Sequence, residues 1–163
     1  MTETFEFDRE AIKTLMEKAA FSLTYEPVQI QLREPKNKSF AGQVFRAKNG
    51  LLTIAIKPDL EMEVFYKVFL HEIGHISLGH CNDLLPIDLP TETSLTYLAY
   101  GPSLTPTQAE RKEHREKPEE SGADDFANSI DGVAKEYARL WFQSEDIEAR
   151  LRALSRITIS KGE

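Results

Sequence analysis

The segment from Leu60 to Gly79 constrains the fold of this chain more than any other. Its apolar side chains recur every three or four residues, which is the spacing of one face of an α-helix. These residues are Met62, Phe65, Phe69, Ile73 and Ile76. Because Pro58-Asp59 precedes the pattern and Gly79 suits a C-terminal cap, the sequence predicts a helix over about 60–78 with its aromatic side chains in the core.

The residues before this helix have the period of β-strands. Val28, Ile30 and Leu32 alternate with polar residues, which predicts a half-buried strand. Two more strands are predicted over 40–46 and 51–57, joined by the tight-turn sequence Lys48-Asn49-Gly50. A helix over about 9–21, capped by Asp8, precedes them. The sequence therefore predicts an α+β fold with a small, mainly antiparallel three-stranded sheet.

The C-terminal half is predicted to be helical after an irregular segment. Residues 81–105 contain three prolines and no clear period, so we expect a long loop, followed by a charged helix over about 105–117. Two further helices are predicted over about 119–142 and 145–157, the last capped by Ser144. No internal repeat or second domain is evident, so residues 1–163 are interpreted as a single domain.

Composition limits the compartment and the partners. The net charge of -7 argues against direct nucleic-acid binding, which needs a basic surface. The single cysteine, Cys81, rules out an internal disulfide and suits a reducing compartment. The acidic start of the chain lacks an apolar signal core, and no apolar run has the length of a membrane span. We therefore predict a cytoplasmic protein without a membrane partner.

The sequence His71-Glu72-Ile73-Gly74-His75 lies inside the predicted helix over 60–78. Residues four apart lie on one face of a helix, so His71 and His75 can both direct a ring nitrogen at one zinc ion. Glu72 can lean over the metal and accept a proton from a water that the metal activates. The motif therefore predicts a zinc site with His71 and His75 as ligands and Glu72 as the general base.

A catalytic zinc site needs a third protein ligand. The candidates are His80, His114, and Glu119 or Glu120 at the start of the helix over 119–142. The preferred ligand is Glu120. Asp124, one turn later, could accept a hydrogen bond from a ligand histidine, and Ala123 is small enough for the two helices to pack closely.

Two segments in this order resemble the ImmA/IrrE family of metallopeptidases. The first is His71-Glu-Ile-Gly-His75-Ile-Ser-Leu-Gly-His80, and the second is Glu120-x-x-Ala123-Asp124-x-Phe126-Ala127. The resemblance implies a zincin-like fold, in which a small sheet packs on the active-site helix and a Glu of a following helix completes the zinc site. It also implies that the substrate is a protein partner, a helix-turn-helix repressor or an antitoxin.

The chain departs from the family pattern between and after these segments. The 44 residues between His75 and Glu120 exceed the usual spacing, so 81–118 is interpreted as an insertion near the cleft. Within it, a second group that stabilises the transition state is sought among Tyr97, Tyr100, Arg111 and His114. We also expect the strand over 51–57 to pair with an extended substrate segment.

Two alternatives stay open at this point. The protein could be a zinc-containing binding protein that sequesters a repressor or antitoxin without cutting it. The zinc could instead be structural, with a fourth ligand from His80, His114 or Cys81; Glu72 argues against this because a structural site needs no general base. A metal-dependent nuclease is disfavoured, since no basic groove is indicated. The sequence does not indicate an oligomeric state.

Overall fold

A computed structural model describes residues 2–33, 40–79, 81–82, 84, 86–87, 97–100 and 118–157. The side chains described exclude those of residues 2–9, 40, 87, 97–100 and 118–120. In chain order the elements are α1 (Thr2–Thr24), β1 (Val28–Leu32), β2 (Phe40–Ala47), β3 (Leu52–Ile56), α2 (Met62–Ser77), β4 (Pro86–Ile87), β5 (Tyr97–Tyr100), α3 (Pro118–Phe142) and α4 (Ile147–Leu154). No described helix combines the length and apolarity needed to cross a bilayer.

The predicted α+β fold class is confirmed, and the sheet is mixed in its strand directions. β2 and β3 form the expected antiparallel hairpin around Gly50, whose φ of 87° matches the turn. β3 lies between β1 and β2, so β1 and β3 run parallel. β1 and β3, which have β2 between them in the chain, are thus neighbours in the sheet. Their parallel pairing differs from the mainly antiparallel sheet that the sequence predicted.

Two short strands lie within the long loop that was predicted over 81–105. β4 pairs with the end of β2 in parallel, and β5 pairs with its first half in antiparallel. Both strands are short and obtain their partners from β2, which a local sequence pattern cannot reveal. The charged helix predicted over 105–117 lies outside the described residues.

The free edge of β1 is covered by a side chain of α1. The backbone N–H of Ile30 donates a hydrogen bond of 3.0 Å to Oε2 of Glu17. Because Arg33 N–H bonds to Ile56 O on the β3 side, alternation places the N–H of Ile30 on the opposite, outer side of β1. Glu17 thus satisfies a donor that an edge strand would otherwise leave to solvent.

Helix α2 is the centre of the core, as its apolar stripe predicted. Phe65, Phe69 and Ile73 are buried, and they share one hydrophobic cluster with α1, the sheet and the C-terminal helices. Gly79 has a φ of 84° directly after the helix, and its N–H bonds to Ile76 O, so the predicted glycine cap is confirmed.

Two predicted N-caps are wrong. Helix α1 begins at Thr2, so Asp8 lies within the helix and is not its cap. Helix α4 is capped by Asp146, whose side chain accepts from Ala149 N at 2.8 Å. Ser144 accepts a hydrogen bond from Asp146 N and therefore shapes the turn before the cap.

Candidate metal centre

His71, Glu72 and His75 come together on the buried side of α2. His71 is 8% exposed, and Glu72 and His75 are fully buried. One potential ligand atom from each lies within 4.8 Å of the others, and the two imidazole rings meet edge to face with centroids 4.9 Å apart. Within the described part of the chain, these three residues form a buried group that could hold a metal ion.

Glu72 lies against the sheet where β2 carries a glycine. Its Oε2 lies 3.5 Å from the point that a Cβ on Gly42 would occupy, and the same Cβ would overlap Val68 of α2. Gly42 therefore allows α2 to approach the sheet closely with Glu72 in between. Gly42 was not among the residues predicted to belong to the site, although a glycine inside a strand pattern often marks a close approach.

Asp124 of α3 orients one of the two histidines. Its Oδ1 lies 2.7 Å from Nδ1 of His71. When Nδ1 of His71 carries the proton and donates a hydrogen bond to Asp124, Nε2 is the ring nitrogen that can bind a metal. The contact is the one expected from the spacing of Asp124 after Glu120.

A glycine and an alanine bring α2 and α3 together at this point. A Cβ on Gly74 would lie 2.9 Å from the carbonyl oxygen of Ala123 and 3.0 Å from its Cα. Any larger residue at Gly74 would push the backbone of α3 away. The close packing inferred from Ala123 is therefore present, and it brings Asp124 within reach of His71.

Only the backbone of the predicted third ligand, Glu120, is described. Glu120, like Glu119, belongs to α3, and Glu120 lies one turn before Asp124; the side chains of both glutamates lie outside the described part. His80 and His114 are also outside it. The expectation that Glu120 completes the site therefore stays a prediction.

Cys81 is buried next to this group without belonging to it. Burial, followed by the charge of Glu72, raises the pKa of the Cys81 thiol to about 12. Cys81 is not part of the described group whose ligand atoms lie within 4.8 Å of one another, so the described geometry gives no support to Cys81 as the fourth ligand of a closed structural site.

The donor set fits a transition-metal ion. Two imidazole nitrogens on one helical face, one of them oriented by a carboxylate, suit zinc and several other transition metals. Glu72 places a carboxylate beside them, and one of its oxygens counts among the atoms that could bind the ion. The described geometry therefore fits a metal ion held by imidazole and carboxylate groups.

Two other expectations concern the substrate side of the site. β3 cannot pair with a substrate segment, because β1 and β2 occupy both of its edges. Tyr97 and Tyr100 belong to β5, but their side chains, and all of Arg111 and His114, lie outside the described part. Which residue stabilises the transition state thus stays open.

Comparison with protein-family models, with curated proteins and with solved structures finds no match to this chain.

Proposed function

We propose that this protein is a zinc-dependent peptidase that hydrolyses a peptide bond in a protein partner. The observation that carries the proposal is the buried group of His71, Glu72 and His75, in which His71 is held by Asp124. A histidine pair with a fixed tautomer and an adjacent carboxylate is the minimal machinery of metal-assisted hydrolysis.

His71, His75 and Glu120 would hold the ion. When bound, zinc supplies Lewis-acid chemistry, lowering the pKa of water to near 7 and polarising a carbonyl group. Glu72 then accepts the proton of the attacking water and later delivers it to the leaving amine. The carboxylate is fully buried, with Oε2 3.5 Å from the point that a Cβ on Gly42 would occupy, so a larger residue at Gly42 would crowd it.

The sheet also offers an edge for an extended substrate. Of the described strands, β5 lies at the edge of the sheet opposite β1 and pairs with the first half of β2. Ala99 of β5 lies opposite Gly42. Since Ala47 N–H bonds to Leu51 O, odd-numbered residues of β2 face β3, and Gly42 and Val44 face β5. The backbone groups of Leu98 are then directed outward, where a substrate backbone could pair.

The partner class rests on the resemblance between the two motifs and the ImmA/IrrE family. A helix-turn-helix repressor or an antitoxin would bind DNA itself, so this chain would need no basic surface, in keeping with its net charge of -7. In this proposal the protein acts in the cytoplasm and relieves repression by cutting its partner.

The test uses Glu72→Gln with Glu61→Gln as a matched control, since Glu61 is exposed at the start of the same helix. Each protein is incubated with zinc and with a helix-turn-helix protein encoded beside its gene, and fragments are identified by mass spectrometry. Wild type and Glu61→Gln should cut at one site. Glu72→Gln should bind one zinc per chain and cut at least about a hundredfold more slowly.

Three results would contradict the proposal or one of its assignments. A wild-type chain that binds no zinc at micromolar concentration would remove its basis. Zinc binding with stoichiometric inhibition of the partner, no fragments, and no difference in Glu72→Gln would instead establish the non-cleaving binding protein. If Glu72→Gln lost its zinc, Glu72 would be a metal ligand, which would contradict its assignment as the general base.

A further inference from the structure

A buried arginine connects three helices, two of which, α2 and α3, carry the residues of the candidate metal centre. Arg150 of α4 donates to Glu63 of α2 with two nitrogens, Nη1 at 2.9 Å and Nη2 at 3.3 Å. Nη1 also lies 3.6 Å from Oδ1 of Asp131 in α3. Its Nε donates to the carbonyl oxygen of Glu145 at 2.7 Å, so the guanidinium is fixed from several sides. One side chain therefore joins α2, α3 and α4.

The charge of Arg150 lies among buried groups and therefore needs charged partners. Arg150 and Asp131 are both buried, and the guanidinium carbon lies 5.4 Å from the ring centre of Tyr66. Burial, followed by the charge of Asp131, raises the pKa of the Tyr66 hydroxyl, and the hydrogen bond from Arg150 lowers the pKa of Glu63. Because a buried charge is costly without its partners, these groups hold one arrangement of the helices.

Arg150 and the metal centre contact helices α2 and α3 at two different heights along the helix axes. At one level His71 meets Asp124. At the other, Asp131 lies seven residues further along α3, and Glu63 lies eight residues earlier in α2. Helices α2 and α3 are therefore antiparallel, and the two levels are about 11 Å apart along them at 1.5 Å per residue. Two fixed points two turns apart prevent α3 from sliding or rotating on α2.

We propose that Arg150 is a positioning residue for the metal centre, holding α3 at the axial position on α2 at which Asp124 meets His71. The inference rests on the proposed function, because Glu120 would then be presented to the ion from the same fixed helix. Arg150 acts through α3 and touches neither the ion nor the substrate.

The experiment compares Arg150→Lys with Met16→Ala in the full chain. Lysine keeps the positive charge but cannot bridge Glu63 and Asp131 with a planar fork. Met16 is fully buried in α1, a helix that contributes no residue to the described metal-binding group, so its truncation lowers stability without removing a contact of Arg150. Zinc affinity is measured by competition with a chromophoric chelator, and unfolding of the metal-free chain is followed in urea.

We expect Arg150→Lys to weaken zinc binding roughly tenfold, as loss of an outer-shell contact does. Met16→Ala should leave the zinc affinity within about twofold at an equal or larger loss of stability. The downfield Nδ1–H proton signal of His71 in the metal-free protein should shift or vanish in Arg150→Lys only. If Arg150→Lys does not fold, Asp131→Asn, which keeps its shape, takes its place.

The failure of this inference is distinguishable from the failure of the proposed function. If the wild type binds no zinc, the proposed function fails. If the wild type binds zinc and Arg150→Lys binds it equally well, or weakens it no more than Met16→Ala does, Arg150 is only structural and the inference is overturned.

Discussion

Replacing Gly74 with alanine tests the closest approach between α2 and α3. The added Cβ would lie 2.9 Å from the carbonyl oxygen and 3.0 Å from the Cα of Ala123. Both atoms belong to the backbone of α3, so no side-chain rotation relieves the contact. Since ordinary contact begins at 3.4 Å, α3 has to move by about 0.5 Å.

That displacement has two opposing effects on stability. Overpacking of this kind costs about 1–3 kcal/mol. Alanine is a better helix former than glycine by about 0.8–1.0 kcal/mol, which offsets part of the cost. We therefore expect Gly74→Ala to lower the free energy of unfolding by about 0–2 kcal/mol, a change that leaves the protein folded.

The same displacement should be much more visible at the metal centre. A shift of α3 by about 0.5 Å lengthens the 2.7 Å contact between Asp124 and His71 to about 3.2 Å, the long end of the N–H···O range. Zinc affinity, measured by chelator competition, should therefore fall by up to about 10-fold, the lower end of the effect of losing an outer-shell partner. Urea unfolding of the metal-free protein provides the stability change for comparison.

Two further variants decide whether this reasoning is right. A Cβ on Gly132 of α3 meets nothing within 4 Å, so Gly132→Ala should raise stability by up to about 1 kcal/mol with unchanged zinc affinity. Ala123→Gly should not rescue Gly74→Ala, because the contacts involve the backbone. Normal zinc binding by Gly74→Ala, or rescue by Ala123→Gly, would refute the argument.

Three other variants or treatments test single contacts. Asp124→Asn should weaken zinc binding about 10–100-fold with little change in stability, which chelator competition checks; equal affinity would show that His71 needs no carboxylate. The hydrogen bond from Arg150 lowers the pKa of Glu63 in the folded state. The ion pair therefore stabilises the fold above the pKa that Glu63 has in the unfolded chain, and this stabilisation is lost as the pH falls through the pKa of Glu63 in the folded protein. Glu63→Gln should therefore show a shallower loss of stability below about pH 4.3 in urea titrations, and an unchanged slope would contradict the ion pair. Cys81, buried with a pKa raised to about 12, should react with a thiol reagent at pH 8 only after unfolding; rapid labelling of the folded protein would contradict its burial.

Local sequence patterns predicted the elements that build the candidate site. The stripe from Met62 to Ile76 predicted α2 because burial of one helical face is encoded at fixed spacing. Asp124 was predicted to contact a ligand histidine from its place one turn after Glu120. Gly50 and Gly79 predicted a turn and a helix end because both occupy positive φ.

Features that join distant parts of the chain were not predictable in this way. The pairing of β1 with β3 depends on where the hairpin of β2 and β3 docks, which alternation within each strand does not specify. The contact between Arg150 and Glu63 joins residues 87 positions apart, and an arginine in a helix is usually solvated. β4 and β5 are too short to show a period and form only because β2 provides an edge.

The carboxylate that caps Ile30 has a consequence for association. An open strand edge invites another polypeptide to extend the sheet, and proteins block such edges with charged side chains. Glu17 accepts one such donor on the β1 side, at Ile30 in the middle of the strand. Among the described strands β5 lies at the opposite edge, near the helix with the two histidines. The carboxylate from α1 therefore hinders a foreign strand from pairing with the middle of β1.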